Sequence, residues 1–200
     1  IMMPEMSGIE LCFQVKNDIL VSHIPVILLY AKSSDEVQSE GFRAGADAYV
    51  TKPFNMEILH LRIENLIEQQ NRRRKIFKTE LYISPDSLSI SSLDEVFIKN
   101  TLEQINKNIA NPSYSVDQLS KEMCLDRTGL YRKIKAITGQ TPSELIRSVK
   151  IKKAAQLLKL GFPVAEVVEK VGFASSSYFA RCFQEEYKCK PSQYRNKSGE

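Results

Sequence analysis

Short apolar runs alternate with helix-like spacing over the first seventy residues. Residues 24–30 and 48–50 are continuous apolar runs, which are typical of strands buried on both faces. Residues 8–18 and 55–67 instead place their apolar side chains at helical spacing, along one side of each segment. The opening residues 1–8, IMMPEMSG, have the pattern of a buried strand that ends in a loop. This alternation predicts an α/β unit with a parallel sheet, of which two complete strands are visible.

After residue 93 every segment has helical spacing, which predicts an all-α domain. Two short helix pairs are predicted on either side of one long helix at residues 142–160. The pairs are 115–123 with 126–137, and 163–171 with 175–187. Ser115 and Gln118 have the spacing of a capping box, Asp126 is the predicted cap of the next helix, and Gly139 is its predicted end. The pattern therefore predicts two helix-turn-helix units joined by a long helix.

The segment between these two patterns changes composition. Residues 84–94 are rich in Ser, Asp and Pro, so we predict a linker at 71–93 between domains at 1–70 and 94–200. The basic run at 72–75 is either a solvated helix end or a phosphate contact, and a solvated helix end is the commoner case.

Charge divides the chain in the same way. Residues 1–70 carry 5 Lys and Arg against 10 Asp and Glu, whereas residues 71–200 carry 23 against 14. An acidic part followed by a basic part indicates two modules, the second with a polyanionic partner. The four cysteines form no C-x-x-C pair and lie far from the two histidines, which argues against a zinc site and favours free thiols.

Two predicted helices carry outward-facing groups that suit DNA. Burial of Leu130, Ile134 and Ile137 would leave one set of polar side chains exposed, and burial of Phe179 and Phe183 would leave a second set. These candidate DNA contacts are Arg127, Thr128, Tyr131, Arg132 and Lys135 in the first helix, and Ser176, Ser177 and Arg181 in the second. Such groups reach base edges or phosphates, and Arg can bridge two acceptors on guanine. An ordinary helical domain with a charged surface is the alternative.

The long helix sets the spacing between these two helices. At 1.5 Å per residue it spans about 28 Å. With the width of the packed helices added, the two recognition helices are expected about 34 Å apart, which is one turn of duplex. One chain would then occupy two successive major-groove segments on one face of double-stranded DNA.

Several short motifs stand in a fixed order over residues 97–195, namely 130–135 (LYRKIK), 138–142 (TGQTP), 171–173 (VGF), 177–179 (SYF), Phe183 and 191–195 (PSQYR). With these motifs the segment closely resembles the AraC family of transcription regulators. The family's DNA-binding domain has two helix-turn-helix units joined by a long helix, and its base readers match Thr128, Tyr131, Arg132, Ser176, Ser177 and Arg181. Pro163 stands in place of a small polar cap, and Lys188 in place of a frequent Gly.

Residues 1–70 contain a Met-Pro-x-x-x-Gly loop at 3–8 and a Lys-Pro pair at 52–53. With these two motifs the segment resembles the C-terminal half of a flavodoxin-like response-regulator receiver domain, a family that joins the Lys-Pro pair by a cis peptide. The resemblance implies that Lys52 contacts the phosphoryl group, that Tyr49 is the aromatic switch residue, and that the Met2 backbone carbonyl binds Mg in the intact receiver. Tyr30 stands at the other switch position, where the family usually has Ser or Thr.

The receiver resemblance also implies what lies outside the chain. Its phosphoacceptor, an Asp expected just before Ile1, and its acidic metal pair would precede this sequence. We therefore expect a truncated receiver, no catalytic residue and no cofactor in this fragment, with any kinase activity upstream. An α/β sheet with only two strands exposes an edge and apolar surface, so we also expect self-association through residues 1–70.

Together the two resemblances suggest the output end of a bacterial two-component phosphorelay. The expected function is sequence-specific transcription regulation in the cytoplasm, with an upstream histidine kinase or kinase domain as partner and RNA polymerase as a further candidate. The hybrid systems, in which sensor, kinase, receiver and DNA-binding domain share one chain, would place it at the cytoplasmic end of a membrane-anchored sensor. The alternative is a receiver and tail of a hybrid signalling histidine kinase, acting through protein–protein interaction.

Overall fold

A computed structural model describes residues 6–31, 41, 43–79 and 92–196. The chain separates into two compact units, the first formed by residues 1–98 with 132–139 and the second by residues 99–131 with 140–200. This division differs from the predicted domains because the second half of one helix, at 132–139, packs with the N-terminal part of the chain.

Unit 1 contains a parallel two-stranded sheet in its described part. Its strands are β1 (Ile27–Ala31) and β2 (Ala48–Lys52), and Leu29 is the register partner of Val50. Helix α1 (Gly8–Asn17) begins at a capping box formed by Ser7 and Glu10. Cys12 of α1, Leu28 of β1 and Ala44 form the buried core of this part.

Strand β1 begins three residues later than the apolar run predicts. Pro25 has no backbone N–H that could form a hydrogen bond between strands. The backbone N–H of Val26 donates to the Asp47 side chain at 2.7 Å, so it does not donate to a neighbouring strand. The Val26 carbonyl accepts from the backbone N–H of Asp47 and of Ala48. The sheet ladder therefore starts only at Ile27.

Helix α2 (Met56–Thr79) is longer than predicted, because it continues through the basic run into the predicted linker. Arg and Lys are good helix formers, so a basic sequence does not by itself end a helix. Arg72 pairs with Glu68 at 2.7 Å, as expected of a solvated helix surface. The second part of the linker lies outside the described residues up to α3 (Ser92–Lys107).

Several apolar side chains of α2 are exposed. Ile58, Leu61 and Ile67 are each more than half accessible, and Ile63 is 39% accessible. Exposed apolar side chains at helical spacing favour contact with another surface. Self-association through residues 1–70 stays a prediction, and sedimentation velocity over a range of concentrations measures it.

His23 gives unit 1 an expected pH dependence. Burial lowers the pKa of His23, and the positive charge of Lys133 lowers it further. Its Nδ1 is buried, with no hydrogen-bond partner among the residues that the structure describes. At a pH just below the ordinary histidine pKa of 6.5, His23 therefore binds more protons in the unfolded chain than in the folded chain. As a result, the free energy of unfolding falls as the pH drops through that range.

We expect His23→Gln to make the unfolding temperature less dependent on pH between about 5 and 7. Thermal unfolding followed by circular dichroism at several pH values measures this slope. His60→Gln is the matched control, because His60 lies at an exposed i,i+4 pair with Glu64. Equal slopes for wild type and His23→Gln would contradict the assignment.

The described residues of unit 2 form helices joined by turns and contain no strand. Its further helices are α4 (Val116–Glu122), α5 (Arg127–Thr138, shared with unit 1), α6 (Pro142–Lys159), α7 (Val164–Lys170), α8 (Ser176–Tyr187) and α9 (Pro191–Asn196). The core joins α6, α7 and α8 and contains the fully buried Leu158, Val167, Phe179 and Phe183. The predicted long helix and the helices on either side of it are confirmed to within three residues.

The ends of α6 follow from local chemistry. Thr141 and Glu144 form a capping box at its start, and Pro142 occupies the first turn, where no backbone N–H is needed. Gly161 follows its last residues with φ of +88°, a conformation that favours glycine. Ile151, Ala154, Ala155 and Leu158 lie buried along one side of α6, as predicted.

Candidate nucleic-acid interface

The first helix-turn-helix consists of α4 and α5. Ser115 and Gln118 form the predicted capping box at the start of α4. The Asp126 carboxylate accepts the backbone N–H groups of Thr128 and Gly129 at 2.8 and 2.9 Å, which fixes the start of α5. The Asp126 cap therefore lies in the tight turn between the two helices.

Helix α5 has one buried face and one exposed face. Leu130 and Ile134 are fully buried, and Ile137 is 9% accessible. All five candidate DNA contacts of this helix are exposed, namely Arg127, Thr128, Tyr131, Arg132 and Lys135. Arg127 also pairs with Asp117 of α4 at 3.3 Å, so part of its charge is offset by a neighbouring carboxylate.

The second helix-turn-helix consists of α7 and α8. The Ser175 hydroxyl accepts the Tyr178 N–H at the start of α8, whereas Pro163 offers no side-chain cap to α7. Phe179 and Phe183 are buried, so the opposite face of α8 is exposed to solvent. Its candidate DNA contacts Ser176, Ser177 and Arg181 are all exposed. The Arg181 guanidinium lies 5.3 Å from the Tyr178 ring centroid, a cation–π distance that orients it.

A groove of about 430 Å³ in unit 2 is lined in part by Arg147, an arginine that is not among the predicted DNA contacts. Its lining includes Arg127 of α5, Arg147 of α6, and Phe173 and Tyr178 of the second helix-turn-helix. A hydrogen bond between the side chains of Arg147 and Tyr178 raises the pKa of Arg147. Arg147 is exposed, whereas its neighbour Ile146 is buried. The spacing of the apolar residues in α6 is therefore the signal that would predict an outward-facing cation at this position.

A buried lysine of α6 is hydrogen-bonded to the segment before α4 and to the turn between α7 and α8. Lys150 is 6% accessible, and its Nζ donates to the carbonyls of Asn111 and Gly172, each at 2.9 Å. Burial lowers the pKa of Lys150. The two carbonyls satisfy an ammonium group that would otherwise be costly to bury. Lys150 is therefore a structural residue beneath the exposed surface.

The predicted phosphoryl-site residues lie in or beside the sheet of unit 1. Lys52 is exposed at the carboxyl end of β2 and is the register partner of Ala31. The Lys52–Pro53 peptide bond is cis, as the resemblance implies. Tyr30 is buried at 6% accessibility, and Tyr49 is half-buried, with a pKa raised chiefly by burial. Met2, the predicted magnesium contact, lies outside the described residues.

The described residues contain no group of three or more His, Cys, Asp or Glu side chains placed to hold a metal ion. The magnesium ion that the receiver resemblance implies stays a prediction.

Both regions match known domain families. Residues 1–64 match the response regulator receiver domain, and residues 119–197 match a helix-turn-helix domain. The chain thus matches a receiver domain followed by a helix-turn-helix domain.

Individual relatives cover different shares of the chain. It is 42% identical to Histidine kinase P4 of Formosa agariphila over 201 residues, which are 100% of this chain but only 15% of that kinase. It is 29% identical to the transcriptional regulatory protein SpaR of Bacillus subtilis over 159 residues, covering 76% of this chain and 68% of SpaR. A DNA-binding transcriptional dual regulator from Escherichia coli K-12 aligns with a TM-score of 0.47 and 25% identity, over 52% of this chain and 92% of that structure.

Across the described part of the chain, no helix combines the length and apolar character needed to cross a membrane.

Proposed function

We propose that the chain is a sequence-specific transcription regulator at the output end of a two-component phosphorelay. In this proposal the exposed faces of α5 and α8 read two promoter half-sites in successive major grooves. The observation that carries it is the sorting of each recognition helix into a buried apolar face and an exposed face with the eight candidate contacts.

The exposed side chains divide by the contacts that they can make. Arg132 and Arg181 suit the two acceptors of a guanine edge, whereas Thr128, Ser176 and Ser177 suit bases or phosphates. Arg127 and Lys135 add positive charge at the two ends of α5, where phosphates of the duplex backbone would lie. Arg147 extends this positive surface along α6.

The receiver would supply the regulation. We propose that an upstream histidine kinase or kinase domain phosphorylates the receiver, with Lys52 contacting the phosphoryl group and Tyr30 and Tyr49 responding to it. The chain itself would act as a regulator without enzyme activity, in the cytoplasm, with RNA polymerase as a further candidate partner.

A selection of duplexes from a random pool, followed by a mobility-shift titration, tests the DNA proposal. We expect enrichment of a two-part site and a log affinity that falls with log salt with a slope of about −2, since Arg127 and Lys135 are the two cations assigned to phosphates and each phosphate contact contributes about −0.9. A scrambled duplex of equal length is the control. Equal binding of selected and scrambled duplexes at low salt would refute sequence-specific recognition.

The second candidate function is a protein-interaction module of a hybrid histidine kinase. The observation that favours it is the similarity of the whole chain to Histidine kinase P4 of Formosa agariphila. In that case the helical domain would bind a protein partner, and substitutions in the candidate DNA contacts would leave promoter binding unchanged.

A further inference from the structure

A buried ionic cluster lies within unit 1 and involves the second half of α5. Its members are Lys133 of α5, Asp94 of α3 and Ser22 of the segment before β1, with accessibilities of 0%, 5% and 2%. The Lys133 ammonium donates to the Ser22 hydroxyl at 2.6 Å and also to the Asp94 carboxylate. The Ser22 hydroxyl donates to the same carboxylate oxygen at 2.8 Å. Three segments far apart in the sequence therefore meet at one ion pair.

The chemistry of this cluster favours one arrangement of α5. Burial lowers the pKa of Lys133, and the hydrogen bond and charge of Asp94 oppose this shift. The Phe97 ring, with its centroid 5.8 Å from Lys133 Nζ, forms an apolar wall beside the ammonium. A buried ion pair adds little net stability over apolar residues, but breaking it leaves an uncompensated charge. The cluster therefore penalises any movement of α5 that separates Lys133 from its partners.

A second contact holds the same part of α5. The Arg74 side chain of α2 donates through Nε to the Ala136 carbonyl at 2.8 Å. Lys133 and Ala136 are three residues apart, so they lie on the same side of the helix. Arg132 and Lys135, two of the candidate DNA contacts, belong to the same half of this helix and are exposed.

We propose that Lys133 is a positioning residue for the recognition helix, and that Ser22 couples the segment before β1 to α5 through it. The DNA part of this proposal rests on the proposed function. Ser22 lies within the receiver match and Lys133 within the helix-turn-helix match. A rearrangement of the receiver segment that moves the Ser22 hydroxyl would thus act on the helix that carries Arg132.

Hydrogen exchange of the α5 amides tests the coupling without DNA. Ser22→Ala removes both bonds of the hydroxyl at almost constant volume, and Lys133→Met removes the charge while keeping the length. We expect each to speed exchange at residues 132–138 by about tenfold, since a lost hydrogen bond to a charged group has an effect of at least this size. Ser148→Ala, a buried serine of α6 at 9% accessibility, is the matched control and should leave these amides unchanged.

The double variant distinguishes coupling from two separate effects. If Ser22 acts through Lys133, Ser22→Ala with Lys133→Met exchanges no faster than Lys133→Met alone, whereas independent effects would multiply. Unchanged α5 exchange in Ser22→Ala, or multiplying effects, would overturn the proposal. Ser22→Ala is the milder change, so the exchange test still decides if Lys133→Met does not fold.

Binding of Ser22→Ala and Lys133→Met to DNA duplexes then distinguishes a positioning role of Lys133 from a purely structural one. If Lys133 positions the recognition helix, these variants bind the selected duplex more weakly than wild type does and bind the scrambled duplex equally well. If its role is purely structural, their affinities for both duplexes fall together. If wild type shows no sequence preference, the proposed function fails while the exchange result still decides the coupling. Equal losses for both duplexes would overturn the positioning role.

Discussion

Replacing Arg132 and Arg181 together with alanine is expected to weaken binding to the selected duplex by roughly 30-fold to 20,000-fold. Each arginine is exposed on its recognition helix. A bidentate contact with guanine discriminates by about 1–3 kcal/mol, so the loss of two contacts gives about 2–6 kcal/mol if they are independent. Fluorescence anisotropy with a labelled duplex measures the affinity, and circular dichroism verifies that the helices are retained.

The matched control removes the same charge from other surfaces. Lys159→Ala with Lys170→Ala deletes two exposed cations outside the candidate DNA contacts. It should reduce binding to selected and scrambled duplexes by similar, small factors. If the double arginine variant keeps wild-type affinity and folds normally, the assigned contacts are wrong and the protein-interaction alternative gains support.

Gly172→Ala is expected to lower the stability of the helical domain by about 2–5 kcal/mol. Gly172 has φ of +61°, and a Cβ there would lie 2.6 Å from the carbonyl carbon of Ala110. A left-handed alanine costs about 1–2 kcal/mol, and overpacking against backbone adds about 1–3 kcal/mol. The same glycine carbonyl accepts a hydrogen bond from Lys150, so a backbone shift that relieves the clash would disturb that bond.

Gly161→Ala separates strain from contact. Gly161 has φ of +88°, but among the described residues no atom lies within 4 Å of the position that a Cβ would take. We expect Gly161→Ala to lower the stability by about 1–2 kcal/mol, which is the cost of placing alanine in a left-handed conformation. Differential scanning calorimetry of both variants measures the difference, and an equal loss in the two would show that contact with Ala110 has no effect.

The features that sequence predicts here depend on residues close together in the chain. Three such features are confirmed, namely the Ser115–Gln118 capping box, the Asp126 cap and the left-handed Gly139. Each marks the start or the end of a helix through residues at most four positions apart. The exposed faces of α5 and α8 follow in the same way from the spacing of their apolar residues. Local chemistry therefore predicts the helices and orients the candidate contacts.

The buried lysines could not be predicted in this way. Lys133 is hydrogen-bonded to Asp94, 39 residues away, and to Ser22, 111 residues away. Lys150 donates to carbonyls 39 and 22 residues away. Periodicity places a lysine on the surface by default, and only packing reveals an acceptor that makes its burial tolerable. The same limit explains why the grouping of residues 132–139 with unit 1 was not predicted.

The backbone before α5 has a practical consequence for measurement. Cys124 adopts φ of 54° and is exposed, whereas Cys12 and Cys182 are buried and Cys189 is half-buried. A thiol-reactive fluorophore would therefore attach first at Cys124, three residues before Arg127. The native chain carries its own attachment point for an optical reporter beside α5, with no engineered cysteine required.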